Sequence, residues 1–348
     1  MMNRRDFLKI TGISAAALGL TACGGSSSST AAPASSAAGA AVSKWPTDAV
    51  TMYVPAKAGG GTDALCRMFI QGMERANGGT YVVVNDMAGN GTVACETVRT
   101  AKPDGLNLLA YHSTMLSSYA TGLYDKNIND FQVLGLFTTL NTEVASNGIY
   151  VPKSSPFNTF EELVAYAKEH PGELTNAVQN GGNAHFGACL MEQTIGFDTI
   201  KVDSGSNTDR ITALMGEQVD MSIIPTMTAA AYSKSGDLKC LMTYGAVAGV
   251  ARDPNEPDVK TLGEINKTWD EEMPRCDMIC FIAGPKGMAQ VDIDAIHEVI
   301  KTAVADEEVK AGYAKMGTVV EYYTIEDATK MLQDLQQAFV DAAPAVTG

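Results

Sequence analysis

The alternation of apolar and polar positions changes period several times along this chain, and each change marks an element. Val50-Thr51-Met52-Tyr53-Val54 is short and rich in β-branched and aromatic residues, the signature of a strand. Leu65, Phe69, Gly72, Met73 and Ala76 then fall at helical spacing on one face. Between them lies Val54-Pro55-Ala56-Lys57-Ala58-Gly59-Gly60-Gly61-Thr62-Asp63, so the segment is a strand, a glycine loop and a helix. Tyr81-Val82-Val83-Val84 is expected to be a buried strand, completing a strand, helix, strand unit that favours a parallel sheet. Asn85 to Gly91 is a second glycine-rich loop, before a helix expected from Thr92 to Ala101 that Pro103-Asp104-Gly105 stops. Leu106 to Tyr111 is the third strand, with His112-Ser113-Thr114 at its C-terminal end.

Apolar segments from Val133 to Val151 lead out of this first unit, and a second series opens. Thr159-Phe160-Glu161-Glu162 is a capping box, with Phe160, Leu163, Val164 and Ala167 on the buried face and Pro171-Gly172 at the stop. Gln179-Asn180-Gly181-Gly182-Asn183 repeats the glycine turn before a helix near Ala184 with Phe186 and Leu190 facing inward. Val202 to Asp209 is another such turn, entering a helix with Ile211, Leu214 and Met215 packed. Strands are expected at Gln218 to Ile224, Leu238 to Tyr244 and Cys280 to Ala283. Residues 250–275, polar and rich in Pro, Asp and Glu, are expected to be a surface excursion. Ile293, Ile296, Val299 and Ile300, then Val309, Tyr313 and Met316, then Met331, Leu332, Leu335 and Phe339 mark three closing helices that pack on a core.

The N-terminus changes where this pattern is placed. Asn3-Arg4-Arg5-Asp6-Phe7-Leu8-Lys9 is a basic segment, the run from Ile10 to Ala22 is apolar but too short to span a bilayer, and Leu20-Thr21-Ala22-Cys23 closes it. This is similar to a bacterial lipoprotein signal, with residues 1–22 removed and Cys23 left to carry lipid. Gly24 to Ser43 is Gly, Ser, Ala, Thr and Pro, a flexible tether through residue 45 with nothing to build a core. About 300 residues remain, enough for two lobes. Their expected bounds are 46–145 with about 245–348 for the first, and about 146–244 for the second.

A hydrophobic share of 45% with 19% charged residues is that of a globular protein. The formal net charge of −15 argues against nucleic acid or an anionic membrane surface as partner. An anionic ligand would therefore be held by local dipoles. Of the remaining cysteines, Cys66, Cys95 and Cys189 fall on apolar helix faces, and Cys276 and Cys280 are the candidate disulfide. Four histidines give no metal-ligand spacing, and no cofactor motif is present. The turns match neither a phosphate-binding GK[ST] loop nor the dinucleotide GxGxxG pattern.

A glycine turn between strand and helix is either plain chain reversal or an anion cradle, because it directs unpaired N–H groups and the helix dipole at whatever lies in front. Repetition of Gly, Ser, Asn and Thr turns at the C-terminal edge of two sheets favours a ligand role. Asp63 and Asp209 sit in the first turns of their helices, as caps or as ligand contacts. His185 and Cys189, four apart on one helix, are the thiol and base of the rival reading, an exported hydrolase.

With these motifs placed, the chain resembles the extracytoplasmic solute receptors of tripartite tricarboxylate transporters, the group that includes the Bug receptors. The resemblance rests on Val54-Pro55 with Gly59 to Asp63; Asn85 to Gly91; Lys102-Pro103-Asp104-Gly105; Phe160 to Leu163 with Pro171 to Leu174; Gly182-Asn183-Ala184-His185; and Leu214 to Asp220. It implies an α/β, two-lobed Venus-flytrap fold of type II, with a mixed sheet in each lobe and crossing strands between them. It implies no enzyme activity. It implies a small organic acid held by main-chain N–H groups, with Ala58, Gly59, Gly60, Gly61, Thr62 and Asp63, then Ser113 and Thr114, as the first lobe's contacts. Asn180, Gly181, Gly182 and Asn183, then Ser204, Gly205 and Ser206, then Pro225 and Thr226, fall to the second lobe. Lys57 and Arg210 are candidates for a second carboxylate. The implied partners are membrane transporter subunits and, through Cys23, the outer face of a membrane; a sensor signalling to a membrane kinase is the alternative. The family's frequent Phe-Ala-Pro is here Ala56-Lys57-Ala58, and its PYKG segment is Asp203-Ser204-Gly205-Ser206, which removes an aromatic ring from the expected pocket wall.

Overall fold

The computed structural model describes residues 43–138, 143–275, 278–316 and 318–347. The signal, most of the tether, Cys23 and Cys276 lie outside them. The first lobe begins with β1 (Val50–Val54), α1 (Gly61–Asn77), β2 (Tyr81–Asn85), α2 (Thr92–Arg99), β3 (Asn107–His112), α3 (Thr114–Ala120) and β4 (Phe131–Thr138). The second runs through β5 (Asn147–Pro152), α4 (Phe160–Glu169), β6 (Thr175–Val178), α5 (Asn183–Ile195), β7 (Ile200–Asp203), α6 (Asn207–Met215), β8 (Met221–Pro225), α7 (Thr226–Ser235) and β9 (Leu238–Tyr244). Short helices α8 (Leu262–Ile265) and α9 (Lys267–Glu272) precede β10 (Cys280–Pro285). Helices α10 (Gln290–Ala305), α11 (Glu307–Lys315), α12 (Ile325–Ala342) and α13 (Pro344–Thr347) follow.

Each lobe is a five-stranded mixed sheet, ordered β2-β1-β3-β10-β4 and β7-β6-β8-β5-β9. In the first, β1 is parallel to β2 and β3, whereas β10 arrives from the far end of the sequence and pairs antiparallel with β3 and β4. In the second, β6 is parallel to β7 and β8, and β5 is antiparallel to β8 and β9. Alternate residues of each sheet feed cores on its two faces: Leu108 and Ala110 pack with α1, α10 and α11, while Leu109 and Tyr111 pack with α12. The capping box forms as expected, with Thr159 Oγ1 accepting from the Glu162 N–H at 3.2 Å and Glu162 accepting from the Thr159 N–H at 3.3 Å. Gly72 is there for space, since a Cβ would lie 2.6 Å from Val309 Cγ2 on α11.

Three expectations are corrected. β2 is an edge strand with Val82 and Val84 exposed on one face. Residues 250–275 are not a surface excursion. Leu262 and Met273 join the second core, and Asp253, Glu256 and Asp270 are buried. The polar side chains there bond inward: Glu256 accepts from the Tyr150 hydroxyl at 3.0 Å and Asp253 from that of Thr226. The stretch expected to return to the first lobe from about residue 245 therefore packs with the second as far as Met273. Phe186, third, turns from its own lobe and stacks edge-on against Phe339 of α12, with ring centroids 5.0 Å apart. Cys66, Cys95 and Cys280 are buried free thiols, and among the described residues no helix is long and apolar enough to cross a membrane.

Candidate functional site

The C-terminal ends of β1, β3, β6, β8 and β9 face one cavity of about 100 Å³ between the lobes, room for several waters or a small acid. The first lobe contributes Pro55, Lys57, Gly60, Gly61, Thr62, Tyr111, His112 and Thr114. The second contributes Gln179, Asn183, Ser206, Asn207, Arg210, Pro225 and Tyr244, and the chain after α9 adds Met273, Arg275 and Met278.

The glycine loop works through its backbone. Gly59 has φ +78°, in the left-handed region that glycine adopts without a Cβ penalty, and the turn closes through Gly60 N–H to Lys57 O at 2.9 Å. Gly60 caps α1 without any side-chain hydrogen bond, and the same holds for Gly182 on α5 and Pro225 on α7. The N-termini of α1 and α5, without side-chain caps, thus face the cavity, whereas at α7 the Thr226 N–H donates to Ser146 O at 3.0 Å. Asp63 does not reach it. Its carboxylate is buried beneath the loop and accepts from Gly59 N–H (2.8 Å), Arg67 Nε (2.9 Å) and Asn85 Nδ2 (2.8 Å). Burial alone would raise its pKa, and those bonds outweigh burial and hold it below the ordinary value.

Two further groups shape the field. His112 Nδ1 accepts from the Thr114 N–H at 3.2 Å, so the neutral ring carries its proton on Nε2, and burial pushes its pKa down to about 4. Arg210 is 3% exposed and donates to Gly205 O (2.9 Å), Asn207 Oδ1 (2.5 Å) and Ile223 O (3.3 Å), while its Nε has no acceptor. Burial lowers its pKa to about 10, which leaves it cationic at neutral pH. Among the described residues no carboxylate touches it.

The lobes meet across the cleft. Lys57 Nζ lies 2.5 Å from Asp209 Oδ1, Asn90 Nδ2 donates to Asn180 O (2.9 Å), Gln179 Nε2 donates to Asn90 Oδ1 (2.5 Å), and Asn183 Nδ2 donates to Ser113 Oγ (2.9 Å). Gly61 allows this approach, because a Cβ there would lie 2.9 Å from Thr228 Oγ1 of the opposite lobe.

Of the residues expected to contact a ligand, Lys57, Gly60, Gly61, Thr62, Thr114, Asn183, Ser206 and Pro225 line the cavity. The others support it from behind. Ala58 and Gly59 are exposed on the outside of the loop, and Ser113 is buried with Asn183 on its hydroxyl. Asn180 bonds Asn90, the Gly181 N–H donates to His185 Nδ1 (3.1 Å), and Gly182 is the cap of α5. The Ser204 N–H donates to Val178 O, Gly205 O receives Arg210, and the Thr226 hydroxyl donates to Asp253. Asp209 forms the capping box of α6 with Ser206 as well as meeting Lys57. Sequence reasoning missed Tyr111, His112, Gln179, Tyr244 and Arg275. His112 was legible from its place at the end of the third strand; Arg275 was hidden in the stretch taken for surface.

His185 and Cys189 do not form a nucleophile and base. His185 Nδ1 is occupied by the Gly181 N–H, and burial lowers the His185 pKa and raises that of the Cys189 thiol, which keeps both groups uncharged. Among the described residues no cluster of side chains could hold a metal ion.

Two mixed-sheet lobes with strand ends and helix N-termini closing on one cavity define a solute-binding protein of the periplasmic type. The chain belongs to the tripartite tricarboxylate transporter family receptors (TctC), whose family model matches residues 65–339. This is a family of receptors, not of enzymes. The chain is 28% identical over 319 residues to a UPF0065 protein in the gbd 5′ region of Cupriavidus necator, covering 90% of this chain and 89% of that protein. In fold it is similar to MatC from Rhodopseudomonas palustris with bound malate, at a TM-score of 0.73 and 22% identity over 86% of this chain and all of that one. A second R. palustris protein, with adipate, superposes at a TM-score of 0.75 and 19% identity, over 87% of this chain and 98% of that one.

Proposed function

We propose that this receptor is anchored by lipid on Cys23 outside the cell membrane, encloses a small carboxylate between its lobes and delivers it to a tripartite membrane transporter. The carrying observation is the pair of N-termini of α1 and α5, without side-chain caps, at a cavity also lined by Arg210, which no carboxylate touches among the described residues. In a chain of net charge −15, such a local concentration of donors selects an anion against the overall field. Malate and adipate in structurally similar proteins support the carboxylate. Closure removes water from the acid and strengthens each N–H contact, and the closed pair of lobes is the form a transporter would recognise.

Native mass spectrometry of the purified receptor, then thermal-shift screening of mono-, di- and tricarboxylates, tests the ligand. A binding acid at a hundred times its Kd stabilises the fold by about 2.7 kcal/mol. Tight binding of a neutral ligand with no response to any carboxylate would refute the reading. For the anchor, Cys23→Ala should move the protein from the membrane fraction to the soluble one.

A further inference from the structure

The second lobe's wall of the cavity carries a second guanidinium. Arg275 has a side chain 13% exposed, and its Nη2 donates to Asp270 O at 2.8 Å and to Asp270 Oδ1. Asp270 is itself buried and also receives the Gly249 N–H at 2.7 Å, so it is a fixed post. Arg275 lies against the Tyr244 ring, 5.7 Å from its centroid, and its Nε and Nη1 are buried without an acceptor. Arg210 lines the same cavity, and its buried Nε has no partner. Arg275 is thus paired with Asp270, whereas among the described residues Arg210 touches no carboxylate and donates only to neutral oxygens. A buried cation in that condition is costly until an anion supplies the missing partner. Lys57 does not compete for this role, because Asp209 holds its ammonium.

We propose that Arg275, positioned by Asp270, is the specificity-determining residue of this pocket, and that with Arg210 it receives a second acidic group of the ligand. The first acid faces the N–H groups of α1 from the opposite lobe, so the ligand is a small diacid rather than a monoacid. This rests on the carboxylate-receptor reading above. A guanidinium fixed through Nη2, with two further nitrogens unpartnered, discriminates by hydrogen-bond geometry, which an ammonium does not reproduce.

Calorimetric titration of the receptor with glutarate and with valerate, acids of equal chain length, tests it. The wild type should bind glutarate roughly 10- to 100-fold more tightly, the worth of hydrogen bonds to a charged group. Arg275→Gln should abolish most of that preference by weakening glutarate far more than valerate. Arg275→Lys, which keeps the pairing with Asp270, should also lose most of it and serves if the Gln variant does not fold. Equal weakening of both acids in the variants, retention of the preference by Arg275→Lys, or equal binding of both acids by the wild type would overturn this inference and leave the receptor reading standing. Failure of the wild type to bind any carboxylate in the wider screen would overturn both.

Discussion

Replacing Lys57 by alanine removes an ammonium that lies 2.5 Å from Asp209 Oδ1 on the opposite lobe. The two side chains are 50% and 42% exposed, so water screens the pair and it is worth about 0.2–1 kcal/mol. If the whole amount favours closure, Kd rises by roughly 1.4- to 5-fold. An ammonium bonded directly to a ligand carboxylate would be worth about 1.5–3 kcal/mol, a rise of roughly 10- to 150-fold. Calorimetry on Lys57→Ala, Asp209→Asn and the double variant, with the acid that binds best, separates the two. The Lys57→Ala effect should stay within about fivefold, shrink at high salt and vanish in the Asp209→Asn background. A loss above tenfold that persists in that background would refute the assignment of Lys57 to the lobe-to-lobe contact.

Gly61→Ala adds a Cβ 2.9 Å from Thr228 Oγ1, so ligand affinity should fall while the unliganded melting temperature holds; Thr228→Ala, which deletes a hydroxyl without a partner, should restore the affinity. Phe186→Ala empties a fully buried site against Phe339 and should cost about 3–5 kcal/mol in urea unfolding; a cost under 1 kcal/mol would mean the contact contributes little. His112 has a folded pKa of about 4 against 6.5 when free, so the unfolded chain takes up the proton first as pH falls. Stability should therefore drop between pH 6.5 and 4, by at most about 3 kcal/mol from this group, and His112→Gln should flatten that part of the profile.

What the sequence determined by itself was local. The box at Thr159 and Glu162, the apolar stripe of α4 and the alternating faces of β3 and β10 depend on dihedral preference and burial period, which neighbouring residues set. The glycine turn at Gly59 to Gly61 was legible for the same reason, and the resemblance of several such turns in order gave the family. Only the tertiary structure decided which residues meet across long separations. β10 lies between β3 and β4, Lys57 meets Asp209, Phe186 crosses to the other lobe, and Gly61 abuts Thr228. Composition marked residues 250–275 as solvent-facing, because Asp and Glu usually are. Inside this fold Asp253 and Glu256 find donors on distant elements and Asp270 takes the Gly249 N–H, and a polar residue whose partner lies elsewhere in the chain looks in sequence like one that faces water. Arg275, inside the same stretch, was concealed with them.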